Sequence, residues 1–351
     1  MATRVQADPA SPRQMSTTEK PSPLWSARLA KYRERSNSRA VLEILVTAVP
    51  FVGLWAGAWF AASASYWLAA VVAVPAAGFL VRLFMIQHDC GHGALFTRRS
   101  ANDWVGRIIG VLTLTPYDCW RKDHNYHHAG AGNLDRRGIG DIATLTVKEY
   151  TALTPWARLK YRLYRHPLVM FAIGPVFLFV VQHRVPGKSQ RRSRFAWVST
   201  MGTNAATAIA IAALIAAVGL GPFLAVQVPV TIFASTAGVW LFYVQHQFEA
   251  TYWARPPEWT PQAAALYGSS YLLLPRPLRW LTANIGLHHI HHVRPSIPNY
   301  NLQQCQDDVP AFQTVKAITL KTSFRSLRLS LCDVKNQQLV GFRSLPARRS
   351  K

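Results

Sequence analysis

Polar and apolar residues are segregated along this chain rather than interleaved. Residues 44–81 and 195–248 carry no Asp, Glu, Lys or Arg. Each block is too long for one buried helix and long enough for two membrane crossings of roughly 20 residues apiece. Uncharged, small-residue breaks divide both blocks, ASASY at 62–66 and GLGP at 219–222. The pattern predicts four spans, at 41–61, 66–86, 198–218 and 223–245, paired as two helical hairpins. Two further apolar stretches are shorter: 104–119 contains Arg107, and 168–182 contains Gly174-Pro175. Both are expected to lie in the membrane interface or to re-enter it, because one extra crossing would put the histidine clusters described below on opposite faces.

Charge reinforces this picture. The chain has 39 Lys+Arg against 16 Asp+Glu, and the excess sits outside the apolar blocks: in residues 1–39, in RVPGKSQRRSR at 184–194, and in the tail beyond Lys316. Such a balance also suits nucleic-acid binding, but no helix-turn-helix, zinc-finger or RNP pattern accompanies it. Basic flanks beside apolar spans fit the positive-inside rule and attraction to anionic headgroups. Both termini, the 87–195 region and residues beyond the fourth span are therefore expected on the cytoplasmic side. No apolar segment of 7–15 residues follows the polar N-terminus, so no cleaved signal is expected. Cys90, Cys119, Cys305 and Cys332 fit no zinc or disulfide spacing. The expected organisation is a basic leader at 1–40 with an amphipathic segment near 25–35, a membrane domain at 41–312, and a basic tail at 313–351.

The chemistry is concentrated in histidine. HDCGH ends the second span, HNYHH lies at 124–128, and HHIHH lies at 288–292 after the fourth span. On a helix, His88 and His92 share a face, as do His124, His127 and His128, and again His288, His291 and His292. A lone interfacial histidine usually serves a headgroup or a helix end. Eight at helical spacing would repel one another as cations, whereas a metal binds them as neutral imidazoles. Nitrogen ligation alone leaves zinc, copper, iron and nickel open. A zinc site takes three or four ligands, so eight or more imply two metal ions. The H-E-x-x-H protease motif is absent, Asp89 standing where its glutamate would be.

These three boxes, set before and after two hydrophobic hairpins, resemble those of the membrane fatty acid desaturase superfamily. HDCGHGALF, GNLDRRGIGDI, YVQHQFE and NIGLHHIHHVRPSIPNYNL resemble bacterial acyl-lipid desaturases of the Δ12/ω6 type. The resemblance implies an all-α integral membrane protein of four transmembrane helices with a cytoplasmic helical cap, in the bacterial inner membrane. It implies two iron ions held by His88, His92, His124, His127, His128, His288, His291 and His292. His246 in YVQHQFE is expected as a further ligand, and Asn284 through a water molecule. Asp135 and Asp141 are expected to hydrogen-bond to the imidazoles or to pair with Arg136 or Arg137. His289 falls off the third stripe, and His166 and His183 are expected to be structural.

The implied reaction is dioxygen-dependent insertion of a double bond into an acyl-lipid, oleoyl to linoleoyl. Electrons would come from a ferredoxin or cytochrome-b5-like protein, since the chain has no haem-attachment, ferredoxin or dinucleotide motif of its own. Three alternatives stay open at this point: a hydroxylase or ketolase on the same scaffold, a histidine-metal membrane transporter, and a bis-histidine haem protein.

Overall fold

The computed structural model describes residues 27–345; most of the leader, including Trp25, and the last basic residues of the tail lie outside them. Two long hairpins form the base of the molecule. Helix α1 (Asn37–Ala64) meets α2 (Tyr66–Gly91) through the single residue Ser65. The later hairpin joins Arg194–Val218 to Leu220–His246 through Gly219, whose φ of +84° suits glycine. Helix α2 packs against α1 on one side and the His246-bearing helix on the other, through a core rich in alanine. Their outer faces are apolar and uncovered: Trp67 is 85% exposed, and Val49, Phe60, Val198 and Ile209 are likewise open. Such a surface is unsuited to water and suited to lipid.

Glu43 and Arg82, the two charges that fence the first uncharged block, pair with each other in the closed interior. Arg82 also donates to Thr47 Oγ1 at 3.0 Å and to the Trp280 carbonyl, with its guanidinium 4.1 Å from that indole ring. A buried charge left without its partner costs several kcal/mol, so this cluster fixes how the hairpin meets the cap.

Among the described residues, five helical stretches are long and apolar enough to cross a membrane, rather than four: the four hairpin helices and Val169–Gln190. The fifth is broken, with a π turn at Val169–Ile173, an α segment at Gly174–Val180 and a 3-10 turn at Gln182–Arg184. The other doubtful stretch is α3 (Arg99–Leu112), 14 residues or about 21 Å at 1.5 Å per residue, short of a bilayer core of roughly 30 Å. Its exposed Trp104, Ile108 and Leu112 oppose a buried face at Asn102, Gly106 and Ile109.

The cap follows from α4 (Tyr117–Gly130) and α5 (Pro155–Tyr164) onward. With the hairpin helices numbered α6 (Arg194–Val218) and α7 (Leu220–His246), it continues through α8 (His288–Val293) and α9 (Asn299–Asp308). The purely helical expectation needs amendment, because two small sheets tie the cap together. Strand β1 (Leu145–Thr146) pairs in parallel with β4 (Leu331–Asp333), which pairs antiparallel with β5 (Gln338–Val340). Strand β2 (Tyr271–Leu273) pairs in parallel with β3 (Ala317–Thr319). These strands are too short to leave an alternating signature in sequence. They weave much of the basic C-terminal segment into the cap. The N-terminal side is clamped as well: Leu29 and Tyr32 join the core beneath α8 and α9, and Tyr32 Oη donates to Asp308 at 2.8 Å.

Candidate metal centre

Each histidine box is presented by a helix that the fold holds rigidly. His88 lies in the last turn of α2, with His92 immediately after it. Asp89 between them accepts from the backbone N–H and the side-chain amide of Asn299, at 2.8 and 2.9 Å, which pins box one to α9. Box two occupies α4, where the His124 ring stacks on Trp120 with centroids 4.7 Å apart. Box three forms α8 after a turn at Ala283-Asn284, both in left-handed backbone. His246 closes α7.

All nine histidines expected from the sequence converge, and they divide into two sets that cut across the boxes. His88, His92, His124, His128 and His291 each present a nitrogen, all within 4.8 Å of one another. His127, His246 and His292 form the second set by the same measure. His288 adjoins the second set, its Nε2 lying 2.9 Å from His246 Nε2 and 3.2 Å from His292 Nε2. Every box contributes except that box one serves the first set alone.

The hydrogen-bond partners of the ring nitrogens assign their roles. His127 Nδ1 faces Asp141 Oδ1 and His246 Nδ1 faces the Gly268 carbonyl at 3.3 Å, so both must donate. On neutral rings each Nε2 presents a lone pair, and the two lie 3.1 Å apart, a placement suited to a shared cation. In the first set, His128 Nε2 is 3.1 Å from both His124 Nε2 and His291 Nε2. Two nitrogens at about 2.1 Å from one ion and at right angles to each other lie about 3.0 Å apart, so this spacing fits shared ligation. Burial, reinforced by the neighbouring imidazoles, holds His92, His124, His128, His288, His291 and His292 well below the usual histidine range, leaving them neutral. The residues present fit two transition-metal ions.

The surrounding residues sort differently from expectation. Asp141 supports His127, as anticipated for the imidazole-to-carboxylate contact that orients a ligand. Asp135 does not reach an imidazole; it is exposed and pairs with Arg255, while Arg137 pairs with Glu149 at 2.7 Å. Asn284 donates to the Asn299 carbonyl at 2.9 Å. His289 is buried apart from both sets, bonded to Gln306 at 3.1 Å and lowered to about 4, chiefly by burial. Trp120 is a residue that the box pattern did not single out, although it stands one helical turn before His124.

A cavity of about 430 Å³ adjoins the centre. Leu80 and Phe84 of α2 line it, with Ala234, Gly238, Leu241 and Phe242 of α7, and His88, His124 and His288 share its wall. His183, read from sequence as structural, lies in its wall. The volume falls in the range of small-molecule sites, and the lining is mostly apolar.

The chain can now be set beside known proteins. A family model described as fatty acid desaturase matches residues 65–317. A fatty acid desaturase of Bacillus subtilis (strain 168) is 43% identical over 317 residues, 90% of each chain. An sn-1 oleoyl-lipid 12-desaturase of Synechocystis is 26% identical over 284 residues, covering 77% of this chain and 75% of the relative. A second Synechocystis protein, an sn-1 acyl-lipid omega-3 desaturase (ferredoxin), is 29% identical over 255 residues, 65% of this chain and 63% of the relative. With the family match spanning most of its length, three histidine boxes meeting at one place and a mostly apolar cavity beside them, this chain belongs to the fatty acid desaturase family.

Proposed function

We propose that the protein is a membrane acyl-lipid desaturase that converts an oleoyl chain to a linoleoyl chain at a two-iron centre held by His88, His92, His124, His127, His128, His246, His288, His291 and His292. The observation that carries this reading is the mostly apolar cavity whose wall includes His88, His124 and His288 of the histidine sets. Iron bound there would supply the one chemistry that no side chain offers, reductive activation of dioxygen to an oxidant able to break an unactivated C–H bond. The protein's own contribution is placement. The cavity holds a chain out of water, and Phe84, Leu241 and Phe242 confine it so that one C–C bond lies beside His88 and His288. Asp141 and the Gly268 carbonyl hold the protons of His127 and His246 away from the centre, so that both nitrogens stay available.

The overall change is –CH2–CH2– plus O2, two electrons and two protons to –CH=CH– plus two waters. The two electrons come from an external donor, for which a ferredoxin or cytochrome-b5-like protein is the candidate; one relative's name includes ferredoxin. Exposed Lys122, Arg136, Arg191 and Arg192 suit an acidic partner.

The topology proposed is two membrane hairpins with the centre and both termini cytoplasmic, in a bacterial inner membrane. Support comes from parity. His128 and His291 meet at 3.1 Å, so an even number of crossings separates them. Helices α6 and α7 account for two, which leaves Val169–Gln190 to dip into the membrane and return. A cysteine at Ser189 should label only after permeabilisation, and one at Ser63 without it; the native cysteines are all buried. Labelling at position 189 from outside would contradict this topology.

Regiochemistry is tested by expression in a host that makes only saturated and monounsaturated lipids, fed oleate or stearate separately, with mass-spectrometric mapping of double bonds. Dienes from oleate are expected. Monoenes formed only from stearate would refute the bond position, and hydroxy acids as main product would refute the reaction type.

A further inference from the structure

Arg165 follows the last turn of α5 and is 4% exposed. Its guanidinium donates to Tyr243 Oη at 3.0 Å, Gln247 Oε1 at 2.9 Å, the Leu329 carbonyl at 2.8 Å and the Ala143 carbonyl at 3.3 Å. All four acceptors are neutral oxygens, and Arg165 Nε has no partner. A buried cation without a counter-charge is costly, so its place in the fold calls for a reason.

The acceptors supply one. Tyr243 and Gln247 bracket His246 at the end of α7, and the Gln247 N–H caps that helix on the Tyr243 carbonyl at 2.7 Å. Ala143 lies two residues beyond Asp141, the partner of His127. Thr144, next along, donates to the same Gln247 oxygen at 3.3 Å. The C-terminal segment closes the arrangement: Tyr243 Oη is 2.8 Å from the Leu329 carbonyl and 3.1 Å from that of Ser326, and Tyr161 Oη donates to the Ser330 carbonyl at 2.6 Å. One side chain thus ties the segment that carries Asp141 to the end of the helix that carries His246, and both to the 326–330 segment. The other set is held elsewhere, by Asp89 with Asn299 and by Trp120.

We infer that Arg165 is a positioning residue for the metal site formed by His127, His246, His288 and His292, acting through Tyr243, Gln247 and the 141–144 segment and leaving the five-histidine site intact. The inference rests on the two-metal reading above. It also gives the C-terminal segment a task, since the Leu329 and Ser326 carbonyls hold Arg165 and Tyr243 in place.

The test is metal stoichiometry of the full-length protein in detergent, with ferrous iron titrated anaerobically and bound metal counted against protein. Wild type should take up two ions per chain and Arg165→Met close to one, with little change in the first binding step. If Arg165→Met does not accumulate folded, Arg165→Lys keeps the cation with fewer hydrogen bonds. Its second-ion dissociation constant should rise about tenfold or more, the usual effect of losing a ligand's support. Two ions bound with wild-type affinity in either variant would overturn the inference, as would equal loss of both ions. A wild type that takes up a single ion would remove both the inference and the reading beneath it.

Discussion

Alanine at His128 should abolish product formation and release metal from the five-histidine set. His128 is the link in that set, its Nε2 3.1 Å from nitrogens of both box two and box three. Removing it opens two contacts at once, and no other described side chain can replace it from α4. The gentler substitution Asp141→Asn should lower metal affinity roughly 10- to 100-fold, as when a ligating imidazole loses its carboxylate partner. It keeps an acceptor for His127 Nδ1 but removes the charge that makes the ring a better donor. Metal counts and double-bond yield in membranes check both outcomes. A His128→Ala protein that still makes dienes would show that the set does not hold the reactive centre.

Filling the cavity should be nearly as damaging without touching the metal. Thr231, Ala234, Ser235, Gly238 and Phe242 of α7 line it at successive turns. A Cβ built at Gly238 would meet nothing within 4 Å, so it would enter open space. That position lies eight residues before His246, about 12 Å along the helix at 1.5 Å per residue. An indole there would occupy volume meant for the acyl chain. Displacing the chain by even about 1 Å can cost ~100-fold in rate, so Gly238→Trp should lose roughly tenfold or more of its activity on oleoyl lipid, with metal content unchanged. Gly238→Ala should remain close to wild type. Undiminished diene formation by the tryptophan variant would mean that the chain binds elsewhere.

Much of this was legible in the sequence, and for a physical reason. Long uncharged blocks form helices long and apolar enough to cross a membrane, and imidazoles at i, i+3 and i+4 share one face of a helix. Spacing therefore grouped the eight box histidines, and the family resemblance added His246; the structure brings all nine together. What could not be read was how they divide, because His127 and His128, adjacent on α4, face different sets. That division depends on how α7 and α8 approach α4, which is tertiary information. Asp135 and Asp141 lie six residues apart in one loop, yet only Asp141 turns toward a histidine. Arg165 carried no local signal, since its partners lie 78, 82 and 164 residues away. The strands β3 and β4 were hidden for the same reason, being paired with β2 and β1 far away in the chain, and β5, paired locally with β4, is only three residues long.

The most direct test of the central claim uses purified, iron-loaded protein in dioleoyl phospholipid vesicles, with a chemical or ferredoxin electron source and isotopically labelled dioxygen. The account predicts a diene that carries no label, formed only when iron, reductant and dioxygen are all present. Labelled oxygen retained in the acyl chain, or diene formation by a zinc-only preparation, would contradict it.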